Sequence, residues 1–354
     1  MPASLDANRL YMFVCGPGKG ESTVIHVPPG EWIVIDSCRN SRRVFASEIL
    51  RMYATGNRAC LVLTHRHSDH YGGMSELAEA PDWRLLACND RTLVDPDQTV
   101  DGELKLAGEL GQIFAIFRHR WNSHPSTEWR TWRASSRTIG EADLLSLHPD
   151  EAFAKGFIVQ KSGDENVLSS AMVLRWKQHL LLLGADTPNP YWDEIKTAFA
   201  TELDLASHIV AKIPHHGSVE SLDEAILNDS REQMWIVTPF NSKDLPIYEP
   251  GHGLEFLIER NSKVHLTGLP VAQEAQPASP MHTTLADLRG KLALVPIPFT
   301  LPGRIGVDVT PTKDSLKNFY VISLDQSGNI DLLHSADGTV VVERTPQAVV
   351  RASI

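Results

Sequence analysis

Seven consecutive residues, Thr64-His65-Arg66-His67-Ser68-Asp69-His70, bring together three imidazoles and a carboxylate. Such a set suits a divalent ion of the zinc, manganese or iron type. The preceding apolar run, Leu61-Val62-Leu63, reads as a buried strand. On an extended chain, residues two apart point to the same side, so His65 and His67 converge on one metal. The chain must then turn, which carries Asp69 and His70 to a neighbouring position. Gly72-Gly73 follows and lets the backbone pack closely ahead of a helix. A chance histidine cluster on a loop would lack this frame of strand, double glycine and helix.

The elements that must position this segment alternate through the first third of the chain. Strands are predicted at Arg9–Cys15, Thr23–Val27, Trp32–Ile35 and Ala59–Leu63, with a hairpin signal at Pro28-Pro29-Gly30. Helical spacing covers Val44–Tyr53 and Met74–Glu79. Residues 118–137 depart from the rest, with Arg118, Arg120, Arg130, Arg133 and Arg137 interleaved by Trp121, Trp129 and Trp132. That stretch is either a substrate contact that stacks bases and neutralises phosphates or a solvated face over the core. Strands then fit Leu144–Leu147, Ala171–Trp176, His179–Leu183, Ile209–Ile213 and Trp235–Val237. Helices fit Tyr191–Ala200 and Leu254–Arg260, Gln273–Pro280 reads as a loop, and Asn318–Leu324 with Ile330–Leu333 reads as a hairpin.

Composition narrows the class. The 354 residues are 42% hydrophobic and 22% charged, ordinary for a globular chain with a large core, here read as a single domain over 1–354 with an Arg/Trp-rich insert at about 118–137. The net charge of -11 argues against general nucleic-acid binding, although metal ions reverse the local field of an acidic site. Cys15, Cys38, Cys60 and Cys88 form no C-x-x-C pair and read as buried reduced thiols. Met1 to Leu10 lacks a secretion signal and no apolar run is long enough to span a bilayer, so a cytoplasmic protein without membrane contact is expected. Gly16 to Ser22 has the wrong spacing for a P-loop and reads as a tight turn.

The segment 64–73 resembles the metallo-β-lactamase superfamily pattern Thr-His-x-His-x-Asp-His-x-Gly-Gly. Val14 to Ser22 and Ile33 to Cys38 are similar to the opening of one branch, which includes the soluble domain of competence DNA-uptake channel proteins. Glu21 stands where that branch usually has aspartate, and Cys38 where it has glycine. Asn166-x-x-Ser169, Leu182-Leu183-Gly184-Ala185-Asp186 and Lys212-Ile213-Pro214-His215-His216-Gly217-Ser218 resemble its later segments. Asn241 with Gly251-His252 resembles an Asn…Gly-His-Pro element, with Gly253 in place of proline. The similarity runs from residue 10 to about 335. Lacking membrane spans, the chain is not expected to be the channel itself.

The resemblance implies an α/β fold, a four-layer αββα sandwich with mixed sheets and the site at one edge between them. It implies two divalent metal ions, Zn or Mn, held by His65, His67, Asp69, His70, Asp186 and His216, with Asp186 bridging. His215 and His216 are adjacent and point apart; His216 is the preferred ligand, with His215 behind it. His148 is either a further metal ligand, as in many superfamily members, or a surface histidine before Pro149. Asp36 either holds a metal-bound histidine by its second nitrogen or is a turn aspartate. Asp69 also orients the nucleophile, and His252 either gives the leaving group a proton or is a loop histidine.

In the reaction so implied, two metals lower the pKa of a shared water, hold hydroxide at neutral pH and stabilise charge on the attacked group. The first reading is a phosphodiesterase or nuclease with a phosphodiester substrate such as DNA or RNA. The second is a hydrolase of carboxylic esters, lactones or lactams, and the third is a non-catalytic metal-binding module.

Overall fold

Alternate residues of β1 (Leu10–Cys15) belong to two different apolar clusters, Leu10, Met12 and Val14 in one and Tyr11, Phe13 and Cys15 in the other. A strand buried on both faces lies inside a layered protein, not on its surface. The computed structural model describes residues 1–89, 108–246, 253–268, 316–344 and 350–353, excepting 41, 55–56, 161–163, 225, 228–232, 244, 262 and 337–338. The segment 273–280 and His252 lie outside the described residues.

The first sheet takes β1, β2 (Ser22–Val27) and β3 (Glu31–Ile35), skips the short pair β4 (Arg39–Asn40) and β5 (Arg43–Val44), and continues with β6 (Arg58–Val62), β7 (Leu85–Cys88) and β8 (Glu128–Arg130). The second takes β9 (Ser136–Ile139), β10 (Ala142–Ser146), β11 (Met172–Trp176), β12 (His179–Leu183), β13 (Val210–Lys212), β14 (Met234–Val237) and β15 (Lys263–Leu266). The chain then returns to the first sheet with β16 (Phe319–Leu324) and β17 (Ile330–Ser335), and to the second with β18 (Val340–Arg344) and β19 (Val350–Ser353). Both sheets are mixed. Antiparallel hairpins lead into the parallel run β3-β6-β7-β8 in the first and β12-β13-β14-β15 in the second.

One apolar cluster joins the inner faces of the two sheets, from Met12, Ile25 and Val62 on the first to Leu174, Leu181 and Ile236 on the second. Helices cover the outer faces. Those on the first sheet are α1 (Phe45–Tyr53) and, beyond the single turn α2 (Ser68–Tyr71), α3 (Met74–Ala78) and α4 (Gly108–Ser123). Past α5 (Glu151–Gln160), α6 (Asn189–Ala198) and α7 (Gly253–Arg260) cover the second. The result is the αββα sandwich with mixed sheets. Each buried side chain of leucine size contributes roughly 1.5–3 kcal/mol to holding the layers together.

The Arg/Trp stretch is woven into this framework. It covers the end of α4, β8 and the start of β9, and Trp121 and Trp129 are buried. Arg130 lies over the rings of Trp121 and Trp132, and Arg120 donates to the carbonyls of Pro81 and Trp83. All four cysteines are free and buried. Among the described residues no helix is long and apolar enough to cross a membrane.

Candidate metal centre

Parallel strands leave a crevice beyond their carboxyl ends, and polar side chains on the following turns point into it. Here β3 ends in Asp36, β6 runs into Thr64–His70, β12 leads to Asp186, β13 to His215 and His216, and β14 to Thr238. The two sheets bring these ends to one place. The non-glycine residues with positive φ concentrate there: Asp36 (57°), Ala185 (45°), His215 (44°) and His216 (54°). Such backbone is costly and persists where the surroundings hold it. Gly20 is needed for a similar reason, since a Cβ on it would stand 2.5 Å from the carbonyl of Asp69. Of Gly72-Gly73, it is Gly73 that is constrained, at φ 87° against Val44.

Two groups of donor atoms form around one carboxylate. Asp69, His70, Asp186 and His216 make one group, and His65, His67 and Asp186 the other, each with its donor atoms within 4.8 Å of one another. Asp186 Oδ2 lies 3.4 Å from His70 Nε2 and 3.7 Å from His65 Nε2. Asp69 Oδ2 lies 3.1 Å from His216 Nε2 and 3.8 Å from His70 Nε2. Donors held about 2.1 Å from a shared tetrahedral ion stand about 3.4 Å apart, so these spacings fit one.

The imidazoles are turned so that Nε2 faces inward. His70 donates through Nδ1 to Asp36 Oδ2 at 2.7 Å, and His216 donates through Nδ1 to the Thr238 carbonyl at 2.7 Å. His65 Nδ1 is 3.0 Å from the Thr64 hydroxyl, which gives its own hydrogen to Asp36. With Nδ1 carrying the proton, each ring presents an Nε2 lone pair to the centre. Among the described residues, His65 Nε2, His70 Nε2 and Asp186 Oδ1 are buried with no hydrogen-bond partner. Buried polar atoms left this way call for an explanation, and a cation among them supplies one.

The surrounding carboxylates make the centre one where positive charge is stabilised, whether a proton on His70 or a bound ion. Burial penalises a charged His70, but Asp186, Asp36 and Glu21 outweigh it and raise its pKa well above the usual value. Burial and neighbouring His70 push His65 well below its usual value. Burial would raise the Asp186 carboxyl, yet His70 and His216 hold it well below the usual range, and His216 with His70 does the same for Asp69. Burial, against the pull of His70, raises Asp36.

His148 belongs to neither group. It is buried, its Nε2 is 2.8 Å from the Val167 carbonyl, and its ring packs on Tyr191 at 4.6 Å. Burial lowers its pKa to about 4. His215 sits between Ser221 Oγ and Asn166 Nδ2, each 3.2 Å from a ring nitrogen. Asp36, an open choice in the sequence, touches His70 and Thr64.

Residues outside the predicted set also enter the site. Ser169 accepts the Asp186 N–H at 2.8 Å. Glu21, buried beneath the centre, pairs with Lys212 and accepts the Thr238 hydroxyl. Glu21 and Lys212 lie in segments that carry the resemblance, but an acid inside a glycine-rich turn and a strand lysine offer no ligand spacing to read. A cleft of about 480 Å³ opens above the donors, lined by His67, Ser68, Asp69, Asp186, His215, His216, Phe240 and Lys243.

No protein-family model matches the chain, and no curated protein does. Solved structures do resemble it. CmlA, a diiron beta-hydroxylase from Streptomyces venezuelae, matches at 12% identity and a TM-score of 0.35, covering 60% of this chain and 36% of that one. The chain thus spans little more than a third of that relative. The metallo-beta-lactamase fold protein YhfI from Bacillus subtilis matches at 12% and 0.32, over 57% and 70% of the two chains. A subclass B3 metallo-beta-lactamase from a soil metagenome library matches at 11% and 0.35, over 57% and 75%. Likenesses this distant say nothing of the reaction, and the fold rests on the layers and strand order described above.

Proposed function

We propose that this chain is a metal-dependent hydrolase of the metallo-β-lactamase superfamily that cleaves phosphodiesters, as a nuclease or a smaller phosphodiesterase. The observation that carries the reading is the Asp186 carboxylate shared by two donor groups in which, among the described residues, His65 Nε2 and His70 Nε2 are buried with no hydrogen-bond partner. His65, His67 and Asp186 would hold one ion, and Asp69, His70, Asp186 and His216 the other. Two bound divalent ions would supply Lewis acidity and activate a water at neutral pH.

The chain's own residues do the rest. Asp69 faces the cleft beside His216 and orients the attacking water. Lys243 stands exposed at the rim and attracts an anionic oxygen, which favours a phosphodiester over a neutral ester. His215, its pKa lowered mainly by burial, is held between Ser221 and Asn166 and lines the cleft beside His216. Phe240 stacks on His216 with ring centroids 5.0 Å apart, holding that ligand and giving the cleft an apolar wall.

The test is cleavage of an aryl phosphodiester, an aryl carboxylic ester, and single- and double-stranded DNA and RNA by Mn²⁺- or Zn²⁺-loaded protein. An Asp69→Ala/His70→Ala double variant is the control. Phosphodiester turnover that vanishes in the control supports the reading, and the polymers rank nucleic acid against a small substrate. Turnover of the carboxylic ester alone overturns the substrate class. Two bound ions with no turnover of any ester would turn the assignment into a binding role.

A further inference from the structure

The two donor groups are backed differently. Behind His65 stand two hydroxyls, Thr64 Oγ at 3.0 Å and Ser169 Oγ at 3.4 Å from Nδ1. Behind His70 stands the Asp36 carboxylate and behind His216 the Thr238 carbonyl, with the Glu21 carboxylate close to both rings. Asp36 accepts from His70, and Glu21 lies 3.7 Å from His70 Nδ1 and 3.4 Å from His216 Nδ1. Glu21 belongs to neither ligand set. It reaches the site from the turn between β1 and β2, where its N–H donates to the Asp69 carbonyl at 2.9 Å. Lys212, on β13 of the opposite sheet and buried, pairs with it and offsets the cost of burying the charge.

A carboxylate behind an imidazole fixes the ring and makes its free nitrogen a stronger donor. We infer that Glu21 is a positioning residue that makes the two metal positions unequal. The position formed by Asp69, His70, Asp186 and His216 fills first and holds its ion tightly. The position formed by His65, His67 and Asp186 has one donor fewer and only hydroxyls behind His65, so it fills second and exchanges. This rests on the proposed dinuclear site but not on its substrate.

The experiment is calorimetric titration of the metal-stripped full chain with Zn²⁺. Two resolved classes of one ion each are expected, separated by at least about tenfold in affinity. His67→Ala removes the weaker class and leaves the tighter one. Glu21→Gln weakens the tighter class by about 10- to 100-fold and leaves the weaker one. Glu21→Asp restores part of the loss, and a Glu21→Gln/Lys212→Met pair leaves no unpaired buried cation should the single variant fold poorly. Two equal sites, or equal weakening of both by Glu21→Gln, overturn the inference alone. No bound ion in the wild-type chain overturns the dinuclear site with it.

Discussion

The two sheets contribute to the centre in unlike ways. The first delivers four donor side chains on six consecutive residues, His65 to His70, with His65 and His70 tied to its own strand ends through Thr64 and Asp36. The second delivers Asp186 and His216 from separate turns, with left-handed backbone at Ala185, His215 and His216. A contiguous cluster is ordered by its own strand, whereas donors from separate turns depend on the whole packed sheet behind them. The second sheet nonetheless supplies the one carboxylate common to both groups, so loss of a distant residue should cost more than loss of a clustered one.

Asp186→Asn therefore gives the largest expected effect. Both ions are weakened together, and turnover falls by at least about a thousandfold, equivalent to several kcal/mol of transition-state stabilisation. Metal content and steady-state rates check this; two retained ions would break the comparison.

His148 sharpens the account of what the second sheet gives. Burial holds its pKa at about 4, against 6.5 for the free group. The unfolded chain takes up that proton first as pH falls. Stability of the metal-free fold is then lost between about pH 6.5 and pH 4 and no further below, by about 3 kcal/mol from this group. His148→Gln flattens that slope in denaturant melts and leaves two ions bound; loss of an ion would make His148 a ligand after all.

Asp36→Asn tests the first sheet's local bracing. Metal affinity drops about 10- to 100-fold while the overall fold survives, measurable by competition with a chelator. The smallest effect belongs to the Arg/Trp stretch. Arg137→Ala removes a contact over the Trp129 ring, changes stability by about 0.5–1 kcal/mol and leaves KM for DNA unchanged. A raised KM would return that stretch to the substrate.

Legibility followed the same division. The strands around His65–His70 were readable because apolar runs bounded by glycine and proline leave few alternatives, and most observed strand ends lie within a residue or two of the expectation. α4 was not readable: glycines at 108 and 111 and the interleaved charges obscure the face formed by Ile113, Phe114, Phe117 and Trp121. Asp186 and His216 were visible only through resemblance, since no local spacing joins residues 70, 186 and 216. Glu21 and Lys212 escaped because their pairing exists only once the two sheets face each other.

The most direct measurement is anomalous diffraction from crystals of the chain grown with Zn²⁺. Two peaks are expected beside the Asp186 carboxylate, one against His65 and His67 and the other against Asp69, His70 and His216. No peak there, or a single ion that leaves Asp186 bound on one side only at saturating metal, would contradict the proposed dinuclear site.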